Sequence, residues 1–360
     1  MSQVAGLKGS IWPDPEDVLL LRFLLHSEPG EAMAAWRPWR PGWNPDSPTP
    51  EQYRLYPLLA ERVAALVPDE PYLGMLQGVR RQSTIQTLLI LDHLEDVLAT
   101  LDNIGIDGVV LKGAALTLSV YDYVGQRPFH DLDVLVDPRR HAQALSALRE
   151  QGWRQGGDFV GSPHVSMRRA DVLLDLHRKH STELVLTGQP TSAWDNIETV
   201  VARRPLRSGR TIRILAPADA LLHTIAHGTA AERTVLLRWV ADAQRLVAAG
   251  DQDWERVVRL AELFEVAPIV HDSLTFLRST TGISPPADVL PRLKTVRVSR
   301  FSRRRMAAFH QLPNTRGRVG GRPFAVQFQQ TLDQPWRKLL TAAPGYFLRK
   351  ASRRARARLA

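Results

Sequence analysis

Two carboxylates two positions apart stand at the apolar run Leu132–Val136 (LDVLV), Asp131 just before it and Asp133 within it. In an extended segment alternate side chains share a face, so both acids point one way while Leu132, Val134 and Val136 point into a core. Such a strand needs a sheet with one buried face and one polar, functional face, and the surrounding sequence supplies it. Gly108–Lys112 (GVVLK) reads as a short strand and Ala114–Tyr121 as a helix. His141–Gln151 places Ala142, Leu145 and Leu148 on one helical face and stops at Gly152. His164–Arg168 and Val172–His177 flank Arg169-Ala170-Asp171 as a hairpin. In the second of these strands the alternation buries Val172, Leu174 and Leu176 and turns Leu173, Asp175 and His177 to the opposite face, where Asp175 is a third carboxylate.

Helical periodicity dominates on both sides of this unit. Asp14-Pro15-Glu16-Asp17 is an N-cap, proline and acidic first turn, and Tyr53–Leu66 and Leu73–Leu101 continue the pattern. Trp36–Pro50 contains five prolines and three tryptophans and reads as a loop. After the strand-like Thr211–Leu215, helices are predicted at Pro217–His227, Arg233–Ala249, Trp254–Phe264 and Ile269–Ser279. The expected organisation is therefore a helical region over 1–100, an α/β core over 101–215, a helical domain over 216–291 and a basic tail over 292–360.

The charge distribution sets that tail apart. From Arg292 to Ala360 there are 18 Lys and Arg against one acid, Asp333, whereas the chain as a whole carries a net charge of +10. The body is mildly acidic, and the tail, including Arg303-Arg304-Arg305 and Arg349–Arg358, is a candidate contact for RNA or another polyanion, with a solvated charge run as the plainer reading. The absence of cysteine excludes disulfides, thiolate metal sites and cysteine nucleophiles. Val18–Leu25 is too short and too charged to span a bilayer, and Met1–Gly9 lacks the features of a signal peptide, so a cytoplasmic protein without a transmembrane segment is expected.

Hard oxygen ligands on one sheet face suit Mg²⁺ or Mn²⁺ together with substrate phosphates. Three carboxylates around two ions form the clamp used in phosphoryl transfer, and Asp175 is also placed to accept the proton of an attacking hydroxyl. Gly113, at the strand-to-helix junction, leaves the backbone bare where helix-start N–H groups can face a phosphate. Lys112 and Arg127 are candidate triphosphate cations, with ordinary surface charges as the alternative. His177 is either a strand-end packing residue or a substrate contact. Asp219, His223 and His227 lie at helical spacing on one face, better read as a hydrogen-bonded buried face than as a transition-metal site, because only one helix contributes.

LKGAA at Leu111–Ala115, then Arg127, HDLDVLV at His130–Val136 and LLDLH at Leu173–His177 resembles the DNA-polymerase-β-like nucleotidyltransferase superfamily. More narrowly, the chain resembles its uncharacterised bacterial family with a Leu-Lys-Gly signature. Leu215–Gly228 (LAPADALLHTIAHG) and the helix at Trp254 resemble that family's helical half. The resemblance implies an α+β fold: a polymerase-β-like nucleotidyltransferase core, a small mixed sheet with helices, flanked by N-terminal and C-terminal helical regions. It implies Asp131, Asp133 and Asp175 as catalytic metal ligands. Lys112, Gly113, Ala114, Arg127, His177 and His227 become nucleotide-binding candidates. The implied activity is transfer of a nucleoside monophosphate from an NTP, ATP favoured, to an unknown hydroxyl or phosphate acceptor. Ala114 stands where many superfamily members have serine, so backbone N–H groups must meet the phosphate there. Seventeen residues separate Gly113 from Asp131, more than the minimal superfamily spacing. The alternatives are a catalytically inactive nucleotide-sensing or RNA-binding protein with the same fold, and a metal-dependent glycosyltransferase using the Asp-x-Asp pair, which leaves LKG unexplained.

Overall fold

The computed structural model describes residues 11–156, 164–178, 196–229, 235–300 and 302–303. It opens with α1 (Pro15–Leu25), α2 (Pro29–Trp39), α3 (Pro50–Tyr53), α4 (Tyr56–Leu66) and the long α5 (Leu73–Asn103). The α/β unit follows: β1 (Val109–Val110), α6 (Lys112–Ser119), β2 (Asp131–Leu135), α7 (His141–Glu150), β3 (Arg154–Gln155), β4 (His164–Arg169), β5 (Val172–His177), β6 (Thr199–Val201) and β7 (Arg213–Leu215). The chain then returns to helices with α8 (Pro217–Gly228), α9 (Arg238–Ala248), α10 (Trp254–Leu263), α11 (Ala267–Thr281) and α12 (Val289–Thr295). This is the α+β architecture expected. The basic clusters at Arg304-Arg305 and Arg349–Arg358 lie outside the described residues. Among the described residues no helix is long and apolar enough to cross a membrane.

The strands form one mixed sheet of order β3-β4-β5-β2-β1-β7-β6. β2 runs parallel to β5 and β1 parallel to β7, while the other pairs are antiparallel. The strand period sorts the residues: Val110, Leu132, Val134, Leu174, Leu176 and Ile214 enter a core with the later turns of α5 and with α7. Val109, Leu111, Leu135 and Leu215 lie on the other face in a small cluster of their own. The β4–β5 hairpin turns through Ala170 at φ 51°, the left-handed conformation that a two-residue turn requires and that alanine adopts at some cost.

A second core joins the two ends of the chain. Leu20, Leu21 and Phe23 of α1 and Leu59 and Val63 of α4 pack with apolar residues of α8, α9, α10 and α11. The helices before and after the sheet therefore share one interior, and α5 links the cores, burying Leu76 in one and Leu94 and Leu101 in the other. α12 spans the boundary expected at Arg292, whose guanidinium pairs with Glu255 and Asp288.

The loop reading of Trp36–Pro50 needs correction, because Trp36–Trp39 completes α2, with Pro38 inside the helix, and a 3-10 turn follows at Arg40–Gly42. A helical proline costs about 3 kcal/mol. Here Trp36, Trp39 and Trp43 are all buried, Trp36 lies 4.4 Å from Phe23, and Trp39 stacks on Trp43 at 5.3 Å between centroids. Each buried ring contributes on the order of 1.5–3 kcal/mol, and together they outweigh the lost helix hydrogen bond.

Candidate functional site

Parallel pairing of β2 with β5 puts Asp133 directly beside Asp175. Asp131, one pleat back on the same face, completes the group, and each residue offers an oxygen within 4.8 Å of those of the other two. The convergence expected from strand alternation is thus present. Asp133 is 2% exposed, and two cations or donors reach its Oδ1: Lys112 Nζ at 2.6 Å and His177 Nε2 at 2.8 Å. Ser166 Oγ donates to Asp175 Oδ1 at 2.6 Å, fixing that carboxylate from the neighbouring strand.

The three acids do not share one electrostatic environment. Burial alone raises the pKa of Asp133, but the Lys112 charge and the His177 hydrogen bond outweigh it and hold the carboxyl well below the usual range. Burial and the Asp133 charge push Asp131 upward, and Lys112 offsets only part of that. Burial likewise disfavours the Lys112 ammonium, yet the facing Asp133 charge overcomes it and raises the lysine pKa. The cluster is short of positive charge in a way that an added cation would correct.

The nucleotide-binding candidates occupy distinct places. Lys112 begins α6 with φ 46°, a left-handed conformation uncommon for a side-chain-bearing residue, and its ammonium is engaged by Asp133. Gly113 is buried beneath Phe129; a Cβ there would lie 2.6 Å from Phe129 Cβ and 3.1 Å from Arg127 Nη1. The glycine therefore has a packing reason as well as the expected phosphate-facing one. Gly113→Ala is expected to destabilise the fold by about 1–3 kcal/mol, the usual cost of overpacking, as measured by denaturant titration. Unchanged stability would show that Phe129 yields freely. Ala114 turns its methyl into the core, leaving its backbone N–H in the first turn of α6.

Arg127 lies on the wall of the cavity described below, with its guanidinium held by Asp242 of α9. Its Nε and Nη2 donate to Asp242 Oδ1 and Oδ2 of α9 at 2.7 and 2.8 Å, and Tyr121 Oη donates to the same Oδ1 at 2.7 Å. Burial disfavours the guanidinium charge, and the Asp242 carboxylate more than compensates, holding its pKa above the ordinary value. The residue expected on the triphosphate thus bridges the strand approach and α9 while also lining the cavity. His177 touches Asp133, and His227 lines the cavity described below from α8, its ring 6.3 Å from that of His223. Asp219 is buried and held by Arg256, at 2.6 Å from Oδ2, whereas His223 and His227 of the same helical face line the cavity. Among the described residues the groups with ligand atoms in mutual reach of one ion are Asp131–Asp133–Asp175 and His164–Asp175–His177.

Asp131, Asp133, Asp175 and His164 line a cavity of about 570 Å³, inside the range of roughly 300–1,000 Å³ usual for small-molecule sites. Lys112, Asp131, Asp175, Arg203, His227 and Arg238 are among its walls. Arg238 was not singled out from the sequence. Burial, with the charges of Arg127 and Arg54 nearby, lowers its pKa to about 10, so it is a cation in want of negative charge. Asp242, His164 and Ser166 were also missed. An acid amid Trp239, Val240, Ala241 and Ala243 was the one available sign that Asp242 is buried.

Comparison with known proteins adds a family. A comparison with curated proteins finds no match. Similar solved structures include ANT(2")-Ia in complex with adenylyl-2"-tobramycin, 14% identical over 49% of this chain and 96% of that one, TM-score 0.36. Another is the solution structure of the antibiotic-resistance factor ANT(2'')-Ia, 16% identical over 52% and 91%, TM-score 0.33. A third is an antigenic nucleotidyltransferase-like protein from Paracoccidioides brasiliensis, 15% identical over 60% and 93%, TM-score 0.32. The profile described as "Uncharacterised nucleotidyltransferase" matches residues 50–282. That span is well over half of the chain and holds all three carboxylates, and the chain belongs to this uncharacterised nucleotidyltransferase family.

Proposed function

We propose that this protein transfers a nucleoside monophosphate from a nucleoside triphosphate, ATP favoured, to a hydroxyl or phosphate acceptor and releases pyrophosphate. The observation that carries the reading is the convergence of Asp131, Asp133 and Asp175 on the wall of a cavity that Lys112, Arg203 and Arg238 also line. An all-oxygen donor set with unbalanced negative charge fits a hard divalent cation, Mg²⁺ or Mn²⁺, held by these three residues. Bound there, such an ion supplies charge neutralisation for the triphosphate and for the oxygens entering and leaving phosphorus.

The chain's own groups do the rest. Lys112 and Arg238 present positive charge to the phosphates, and the first N–H groups of α6, at Gly113 and Ala114, are donors without partners inside the helix. The acceptor oxygen attacks the α-phosphorus and the bond to the β-phosphate bridging oxygen breaks. The proton of a hydroxyl acceptor passes to Asp175, whose carboxylate Ser166 holds in place. His227 borders the space available to base or acceptor.

The test is incubation of the purified chain with each labelled triphosphate and Mg²⁺ or Mn²⁺, with and without cell extract as an acceptor source. Pyrophosphate release that requires the divalent ion and falls in Asp175→Asn is the expected result. Release that continues undiminished in chelator would sink the mechanism, and tight triphosphate binding without release under any condition would point to a nucleotide sensor instead.

A further inference from the structure

Asp175 belongs to two clusters. Besides the carboxylate group, it offers an oxygen within 4.8 Å of ligand nitrogens on His164 and His177, which are likewise within 4.8 Å of each other. Strand register builds this second cluster, since His164 and His177 are cross-strand partners and Ser166 pairs with Asp175 one pleat further on. The two imidazole centroids lie 4.9 Å apart. His164 Nε2 is 3.4 Å from Asp175 Oδ2, about the spacing of two ligands each roughly 2.1 Å from a tetrahedral ion. Ser166 uses the other oxygen, Oδ1.

The state of His177 separates a ligand set from simple ring packing. Its Nε2 faces Asp133 Oδ1 at 2.8 Å, and an ionised carboxylate can only accept, so Nε2 is the donor there and Nδ1 is the nitrogen left over. That Nδ1 is buried, on a side chain 3% exposed, and has no hydrogen-bond partner among the described residues. A buried polar atom left unmatched carries a desolvation cost that a bound ion would offset. An imidazole that donates from one nitrogen to a carboxylate and keeps the other bare is the arrangement metal-bound histidines adopt.

We propose that His164, Asp175 and His177 form a second metal site, of mixed nitrogen and oxygen ligands, that takes a divalent transition ion such as Zn²⁺, Co²⁺ or Mn²⁺ in preference to Mg²⁺. Imidazole nitrogen suits these ions, whereas Mg²⁺ favours oxygen and sheds water reluctantly. Asp175 then lies between an all-oxygen position and a nitrogen-bearing one. This assignment does not rest on nucleotidyl transfer, because metal binding is read directly whether or not a triphosphate is turned over.

Co²⁺ titrated into the chelator-stripped full chain, followed by visible absorption in a large excess of Mg²⁺, tests it. One Co²⁺ per chain is expected to give a band of the strength that nitrogen-ligated, low-coordinate cobalt shows. The band should survive in Asp131→Asn and weaken at least tenfold in apparent affinity in His164→Ala and in Asp175→Asn. His164→Gln keeps the side chain's size, and far-ultraviolet circular dichroism on every variant identifies those that fold. A band unchanged in folded His164→Ala or His164→Gln, abolished in Asp131→Asn, or displaced by Mg²⁺ would overturn the site. Failure of pyrophosphate release with the band intact would count against the transfer reading alone.

Discussion

Asp131→Asn is expected to lower pyrophosphate release by about 10²–10³-fold, the loss typical when one preorganised charge-stabilising group leaves an active site, without making the metal-free protein less stable. The asymmetry follows from Asp131's surroundings. Burial and the neighbouring Asp133 charge raise its pKa, so the folded carboxyl holds its proton more tightly than the unfolded one, whose ordinary value is 3.8. Its contribution to stability is complete below that value and is lost as the pH rises through the higher folded one. Asparagine has no such loss, and unfolding in chelator should favour the variant increasingly as the pH is raised from the ordinary carboxylate range. The same change at Asp133 should do the opposite. Its folded pKa is depressed, so its contribution is present above the unfolded value and lost as the pH falls through the folded one. Asp133→Asn would also leave the Lys112 ammonium facing a neutral amide. Denaturant titrations of both variants across pH check the contrast, and an Asp131→Asn protein less stable than the parent at neutral pH in chelator would contradict it.

This opposition between neighbours is a site built for charge it does not itself supply. Residues that bring three carboxylates together lower stability unless a cation joins them, which is how function commonly competes with fold stability. Lys112 relieves the repulsion in part, from a left-handed backbone position that itself costs free energy. Its ammonium is close enough to the acids to compensate them and faces the cavity in which phosphates are proposed to lie.

Much of the site was legible because its rule is local. Strand alternation alone puts Asp131 with Asp133, and Asp175 with His177, on one face each. That the two faces coincide depends on β2 and β5 pairing in parallel with Asp133 beside Asp175, a register that no short window contains. Edge strands were the least visible: β3 has two residues and β6 three, too few for a period to show. The tryptophan segment was misread because its prolines act as local punctuation, whereas the rings that hold it in shape are partnered with Phe23 in another helix. The helical core shared by the two ends of the chain was not visible in the sequence for a similar reason, since α1 and α11 meet only in three dimensions.

Arg127, which lines the cavity, yields the second large expected effect: Arg127→Ala should cost about 3–5 kcal/mol of stability, because it leaves Asp242 as a buried carboxylate without its ion partner. In sequence, an arginine four residues before the Asp131–Asp133 pair looks the same whether it meets a triphosphate or an acid on a distant helix. In the fold its two donors to Asp242 span 115 positions and tie the approach to β2 to α9, with Tyr121 donating to the same carboxylate. Asp242→Ala should be similarly costly, since it strands the guanidinium. Removing both charges with apolar residues, as in Arg127→Met with Asp242→Leu, should recover part of the loss, Tyr121 then being the one group of the three left without its acceptor. Urea unfolding of the two single variants and the double variant measures the coupling. Nucleotide affinity, measured on the folded fraction, should fall only as far as Phe129 and Gly113 shift from their places. An Arg127→Ala protein that unfolds at the parent's urea midpoint yet binds triphosphate far more weakly would return the guanidinium to the substrate and leave Asp242 as a bystander.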